Sequence, residues 1–329
     1  MAIKDTEYLY ASSNIRAIEG DASYSERLKR FIECKSVDEL YFAVAGSDAA
    51  SGSKKEALEE YLDARLASAF SLVKKIVPDK KVYDFLIYEY DCCNLKVAIK
   101  SFIKGMSPKG MIYSFGTVPE KAVSDCAKDG DTSAFPKNMA KAGKEAIEAY
   151  EKTKDPSVID MIVDRACFAD MLENVNLYGY EKFVSLVKNR IDKVNIISFM
   201  RIALSKQSDK RKMLDMALAD GGTITKTVFY SKLDGFDGNA SGLLEGTGYY
   251  SASKEADASI TFSSLERMLD DIYLACVRDM RFVPFGAEVP CAYILDTVYE
   301  IRNIKIILAG ICSSLPQEKI RERVRFGYV

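Results

Sequence analysis

At 329 residues the chain exceeds the roughly 250–300 at which a single hydrophobic core stops growing, so two or three domains are expected. Hydrophobic residues at 48% and charged residues at 29% are those of a globular protein, and 46 basic against 48 acidic residues, a net charge of −2, remove the overall electrostatic case for nucleic acid. Histidine is absent, which excludes Ser-His and Cys-His nucleophiles, histidine general bases and the commonest zinc and iron sites.

The eight cysteines are scattered as Cys34, Cys92, Cys93, Cys126, Cys167, Cys276, Cys291 and Cys312, with no C-x-x-C. A chain this long needs no disulfide staples, so free, mostly buried thiols in a reducing compartment are expected. Met1-Ala2-Ile3-Lys4-Asp5-Thr6-Glu7 carries charge where the apolar part of an export signal would sit. The densest apolar segment, Ile304 to Ile311, is interrupted by Lys305 and falls short of the run of about 20 needed to cross a bilayer. The chain is expected to be soluble, with no direct membrane span, and any membrane attachment should go through another protein.

In chain order, residues 8–20 read as a short helix closed by Gly20, and Ser23 to Cys34 as an amphipathic one. Ser36-Val37-Asp38-Glu39 opens another, with Ser as N-cap and acid at the third position, broken at Ala45-Gly46-Ser47-Asp48 and Ser51-Gly52-Ser53. Lys54 to Val77 and Lys81 to Lys104 are two long helices separated by Pro78-Asp79, which predicts an antiparallel hairpin. Gly116-Thr117-Val118-Pro119-Glu120 reads as a helix start with Thr as N-cap. Helices are expected over Lys137 to Lys152, Val158 to Asn174 and, after Gly179, Glu181 to Ser205. Asp209 to Ala219 follows, then a glycine-rich stretch, a long helix over Ile260 to Arg281, another beyond Gly286, and a terminal helix capped by Ser313-Ser314-Leu315-Pro316. No segment alternates with period two, so the fold class is all-α.

Three of these helices carry one motif, an acid three residues before an asparagine: Asp91 and Asn94, Asp192 and Asn195, Glu300 and Asn303. The asparagines stand 101 and 108 residues apart, a domain-sized period rather than a solenoid's. Apolar residues match around them. Tyr90, Ile191 and Tyr299 precede the asparagine by four, Leu95, Ile196 and Ile304 follow by one, and Ile99, Met200 and Leu308 by five. Each copy is a core helix bearing one polar column. Three similar helical domains are therefore expected, over residues 1–113, 114–222 and 223–329. The six polar residues are read as hydrogen-bonded packing groups rather than a reactive site.

Gly246-Thr247-Gly248-Tyr249-Tyr250-Ser251 fails the dinucleotide fingerprint at its last position, and no Walker-type loop occurs, so turn and linker chemistry accounts for the glycines. Adjacent Asp270 and Asp271 are the one conceivable acid–base pair and read instead as a solvated helix face. No catalytic, cofactor-binding or metal-binding residue is expected.

Several stretches resemble the central-stalk socket protein of V-type and A-type ATPases, designated C in prokaryotes and d in eukaryotes. They are Leu9-Tyr10-Ala11 with Asn14-Ile15-Arg16, Gly116-Thr117-Val118-Pro119, Asp160 with Ala166-Cys167-Phe168, Glu300 through Gly310, Leu315 through Arg321, and the Tyr328-Val329 end. The glycine-rich segment at 231–250 departs from that pattern. The resemblance implies three helical domains around a pseudo-threefold axis, forming a funnel. This funnel would seat the central-axle subunits on one side and rest on the membrane proteolipid ring on the other. Such a subunit turns with the rotor, catalyses nothing, needs no cofactor, and lies peripheral to the inner face of the cell membrane through the complex. Arg321, Arg323 and Arg325 are the candidate partner-interface residues, against the plainer reading that basic charges suit a helix C-terminus. A helical repeat scaffold unrelated to rotary ATPases is the alternative.

Overall fold

The structure, a computed structural model, describes residues 4–20, 24–46, 53–206, 209–255 and 262–325. The breaks expected at Ser47-Asp48 and Ser51-Gly52, and the Tyr328-Val329 end, lie outside them. Every regular element among the described residues is helical, so the protein is all-α. The helices in chain order are α1 (Leu9–Gly20), α2 (Tyr24–Glu33), α3 (Val37–Ala45), α4 (Lys54–Ile76), α5 (Asp84–Lys104), α6 (Glu120–Asp129), α7 (Lys137–Thr153) and α8 (Ser157–Tyr178). They continue as α9 (Glu181–Ala203), α10 (Lys210–Ala217), α11 (Lys226–Leu233), α12 (Ala240–Leu244), α13 (Tyr250–Glu255), α14 (Phe262–Asp279), α15 (Glu288–Cys312) and α16 (Gln317–Arg323). Internal contacts gather into two compact units, residues 81–269 and residues 3–80 with 270–329.

The unit made of both chain ends is built around α15, a 25-residue helix. Val289, Cys291, Ile294, Tyr299, Ile304 and Ile307 are buried along it, and it takes α1, α2, α3, α4 and α16 as neighbours. On α4 the buried residues Leu58, Leu62, Leu66, Phe70 and Val73 recur at helical spacing and form the stripe that meets α3 and α15. The expected α4–α5 hairpin is not built: α4 packs on α15, and α5 packs on α6 and α8. Sequence adjacency loses because the apolar stripe of α4 finds its complement on a helix more than 200 residues away. Ser36 caps α3 as expected, accepting from Glu39 N at 3.1 Å, while Glu39 Oε2 accepts from Lys35 N at 2.7 Å. At the other end Pro316, not a serine, occupies the N-cap of α16, and Ser314 adopts φ 51°. Gly310 is the close-approach point: a Cβ there would lie 2.6 Å from Ile320 Cγ1, so the glycine lets α16 fold back against α15.

In the unit over 81–269, α8 is central, with α5, α7, α9 and α10 packed on it. Ile159, Val163, Cys167, Met171 and Val175 are buried along its length. Asp170 of α8 satisfies the start of α7, accepting from Asn138 N and Met139 N, both at 2.9 Å. Burial nonetheless pushes its carboxyl above the usual range. Phe183 of α9 gathers Tyr83, Phe85 and Tyr180, with ring centroids 6.2, 5.2 and 5.1 Å away. The glycine-rich stretch is more ordered than linker chemistry predicts: it holds the short helices α11, α12 and α13, with Asn239 capping α12 through Ser241 N and Gly242 N.

Candidate functional site

The three acid–asparagine pairs sit one turn apart on α5, α9 and α15, and all six residues are buried, none above 2% exposed. An amide or carboxylate removed from water this completely must find partners. The partners show what each pair does.

Each asparagine grips the backbone of one residue in the chain that follows its helix. Asn94 Nδ2 donates to Tyr113 O at 2.9 Å, and Asn94 Oδ1 accepts from Tyr113 N at 2.8 Å. Asn195 does the same with Ala219, both bonds at 2.9 Å. Asn303 donates to Arg325 O and accepts from Arg325 N at 2.9 Å. The side-chain amide thus acts as a strand neighbour of a single residue, which only a group with one donor and one acceptor side by side can do.

The acids grip the same outgoing chain slightly further on. Asp91 accepts from Thr117 N at 2.9 Å, Val118 N at 3.3 Å and the Thr117 hydroxyl. Asp192 accepts from Thr223 N at 3.0 Å, Thr223 Oγ1 at 2.5 Å and Ile224 N at 3.1 Å. In both places a glycine precedes the threonine, and a Cβ on Gly116 or Gly222 would fall 2.2 or 2.1 Å from the aspartate oxygen. Thr117 therefore does not cap α6 as expected; its hydroxyl and N–H go to Asp91, and Pro119 is the N-cap residue. Tyr249, from the glycine-rich stretch, adds its hydroxyl to Asp192 Oδ2 at 3.0 Å and to Asn189 Oδ1 at 3.1 Å. The echo of Gly116-Thr117-Val118 in Gly222-Thr223-Ile224 is a sequence signal for these partners that the motif reading passed over.

The third acid differs. Glu300 is ion-paired with Arg65 of α4 and lies 3.3 Å from the Arg27 guanidinium of α2, without hydrogen-bond alignment at Oε1. It thereby ties α15 to two helices near the start of the sequence. Neither arginine stands out in the sequence, because the partner lies 235 residues from Arg65.

Of the candidate interface arginines, Arg321 and Arg323 lie exposed at the end of α16. Arg325 is placed differently. Its backbone is in the Asn303 clamp, its side chain is 11% exposed, and its guanidinium pairs with Asp270 Oδ2 at 3.4 Å and donates to Arg323 O at 2.6 Å. Asp270 is accordingly not part of a solvated face: it is 6% exposed, with Arg302 3.9 Å away on its other side, whereas Asp271 is exposed. No described helix is long and apolar enough to cross a membrane.

Fold and site together define an all-helical protein in which one buried asparagine, used three times, holds main chain, joined in that task by the neighbouring aspartate at two of the three places. The chain belongs to the ATP synthase (C/AC39) subunit family, which it matches over residues 11–323. It is 26% identical to the C subunit of the A-type ATP synthase of Pyrococcus abyssi, with 98% of this chain and 91% of that protein covered. Identity to the corresponding protein of Pyrococcus horikoshii is 24%, with the same coverage. It is 23% to that of Methanocaldococcus jannaschii, over 98% of this chain and 87% of the other. An unrelated helical scaffold falls as an alternative.

Proposed function

We propose that this chain is the non-catalytic central-stalk subunit of an A-type or V-type ATPase, coupling the central-axle subunits to the membrane proteolipid ring during proton or sodium transport. The observation that carries it is a family match running from residue 11 to residue 323, nearly the whole chain. A coupler must transmit torque, and the clamps suit that demand: buried groups with several partners resist shear better than a single contact does. Three repeat domains, over 1–113, 114–222 and 223–329, would form the funnel, each with its own motif helix.

Because no described helix can span a bilayer, the grip on the membrane sector would be a protein–protein interface, with the protein peripheral to the inner face of the cell membrane. Arg321 and Arg323 are candidates for its charged rim, where charge sets rate and register more than affinity. Arg325 would contribute through its position rather than as a free cation.

The test is assembly. Mixed at low salt with purified axle subunits and detergent-solubilised proteolipid ring, the protein should elute from a sizing column with both. Elution alone, at micromolar concentrations of all components, overturns the reading.

A further inference from the structure

Two thiols that no clamp uses meet where α5 packs on α8. Cys92 and Cys167 are both buried, and their placement is reciprocal. Cys92 Sγ lies 3.9 Å from Val163 O, the carbonyl one turn before Cys167, and Cys167 Sγ lies 3.4 Å from Tyr88 O, the carbonyl one turn before Cys92. Each sulfur thus reaches across the helix pair to the turn that carries the other, and the two thiols stand within hydrogen-bonding reach. Side chains that face each other across a close contact are what a disulfide requires.

The two thiols have different surroundings. Cys92 Sγ donates to Asp164 Oδ1 at 3.3 Å, and the Lys96 ammonium sits 2.5 Å from the same oxygen. The Asp164 side chain is 44% exposed, so Cys92 lies beneath a solvated carboxylate able to take its proton, beside a cation that favours the thiolate. Cys167 instead faces Tyr88 O and, 3.9 Å away, the Met171 sulfur. These are the parts of an attacking thiol and a resolving one. Contact with Cys167 and burial hold the Cys92 thiol well above its usual range, which keeps the pair reduced until exposure to oxidant is sustained.

We propose that Cys92 and Cys167 form an oxidative modification site, at which a hydroperoxide converts the two thiols into a reversible disulfide fastening α5 to α8. Cys92 gives its proton to Asp164, and its sulfur attacks the peroxide. The O–O bond breaks; one oxygen stays on Cys92 as a sulfenic acid, and the other leaves as an alcohol, or as water from hydrogen peroxide, taking the proton back from Asp164. The Cys167 sulfur then attacks the Cys92 sulfur, the S–S bond forms, and the S–O bond breaks, releasing water that carries the Cys167 proton. Two thiols lose two electrons and the hydroperoxide gains them. Because Cys92 directly follows Asp91, the crosslink anchors the helix that carries the first clamp. The chemistry is independent of the stalk reading.

The full-length protein carrying Cys93→Ser and Cys312→Ser, which removes the exposed thiols, would be treated with hydrogen peroxide while folded, then blocked, digested and mapped by mass spectrometry. The expected product is lighter by two hydrogen atoms, has one crosslinked peptide pair joining Cys92 to Cys167, and returns to the dithiol with dithiothreitol. Its melting temperature should rise, because the closed loop constrains the unfolded chain. Cys167→Ser should give no crosslink and leave a Cys92 sulfenic acid that dimedone traps. Asp164→Asn should slow crosslinking about tenfold or more; an unslowed variant overturns the role of Asp164 as proton acceptor, and a merely structural Asp164 would lower the melting temperature without slowing the reaction. Sulfinic acid on Cys92 with no crosslink, both thiols still reduced after the other cysteines are oxidised, a crosslink between two chains, or one formed only above the melting temperature would each overturn the site.

Discussion

Asp91 and Gly116 are fitted so closely that a Cβ on the glycine would stand 2.2 Å from the carboxylate oxygen, and Gly222 has the same relation to Asp192 at 2.1 Å. Gly116→Ala and Gly222→Ala should each displace the carboxylate from its backbone donors and cost about 2–3 kcal/mol. Gly248→Ala, where no atom lies within 4 Å of the new Cβ, is the control and should stay within about 0.5 kcal/mol. Urea unfolding of the three variants decides the matter; equal midpoints would mean that the acid and the outgoing chain are not coupled.

Asp192→Asn should destabilise the protein by about 1–3 kcal/mol. The carboxylate accepts from two backbone N–H groups, a threonine hydroxyl and Tyr249, and an amide turns one of those acceptors into a donor facing donors. Tyr249→Phe removes one donor and leaves the rest, so it should cost less, about 0.5–1.5 kcal/mol. The order of the two variants in thermal denaturation is the check.

Glu300→Gln should weaken the attachment of α2 and α4 to α15. The carboxylate is buried while Arg65 and Arg27 keep 31% and 38% of their side-chain surface, so solvent screening discounts the pair below a fully buried bridge, to about 1–3 kcal/mol. A double-mutant cycle with Arg65→Gln should return a coupling of about 1 kcal/mol or more. Hydrogen exchange should quicken in α2 and α4 before α15. Additive single effects would remove Glu300 from the set of clamps.

Alkaline pH should unfold the protein partly through Cys126. Burial, with Asp129 and Asp131 adding to it, pushes this thiol from 9.0 to about 12. A group whose folded value is raised contributes stability that is whole below its unfolded value and lost as pH rises through the folded one. The melting temperature should therefore fall between about pH 9 and 12, and more steeply than in Cys126→Ala. Parallel slopes for the two proteins would rule the thiol out.

The fold class and the six polar motif residues are legible in sequence because they rest on local periodicity: apolar positions at helical spacing around an acid and an asparagine. What those residues hold is far less legible. Asp91 finds Thr117 across 26 positions and Asp192 finds Thr223 across 31, with loops between them that carry no periodic signal. Thr117 looks like a helix cap because its side chain suits either role, and only the close approach of Gly116 decides between them. Arg65 and Arg27 are invisible for a stronger reason: charged residues on amphipathic helices are the background pattern, and tertiary placement alone brings these two to Glu300. The same non-local packing gives α4 to α15 rather than α5.

Asn94, Asn195 and Asn303 each take hold of a peptide unit and leave the side chain of the gripped residue untouched. The three residues held are a tyrosine, an alanine and an arginine, which differ in size, charge and burial. A latch that closes on main chain lets its captive mutate without releasing it, so substitutions can accumulate at positions 113, 219 and 325 while the asparagine stays fixed by the need for one donor beside one acceptor. In Arg325 that freedom has a visible use: the backbone is secured from one side, and the side chain is left to reach Asp270.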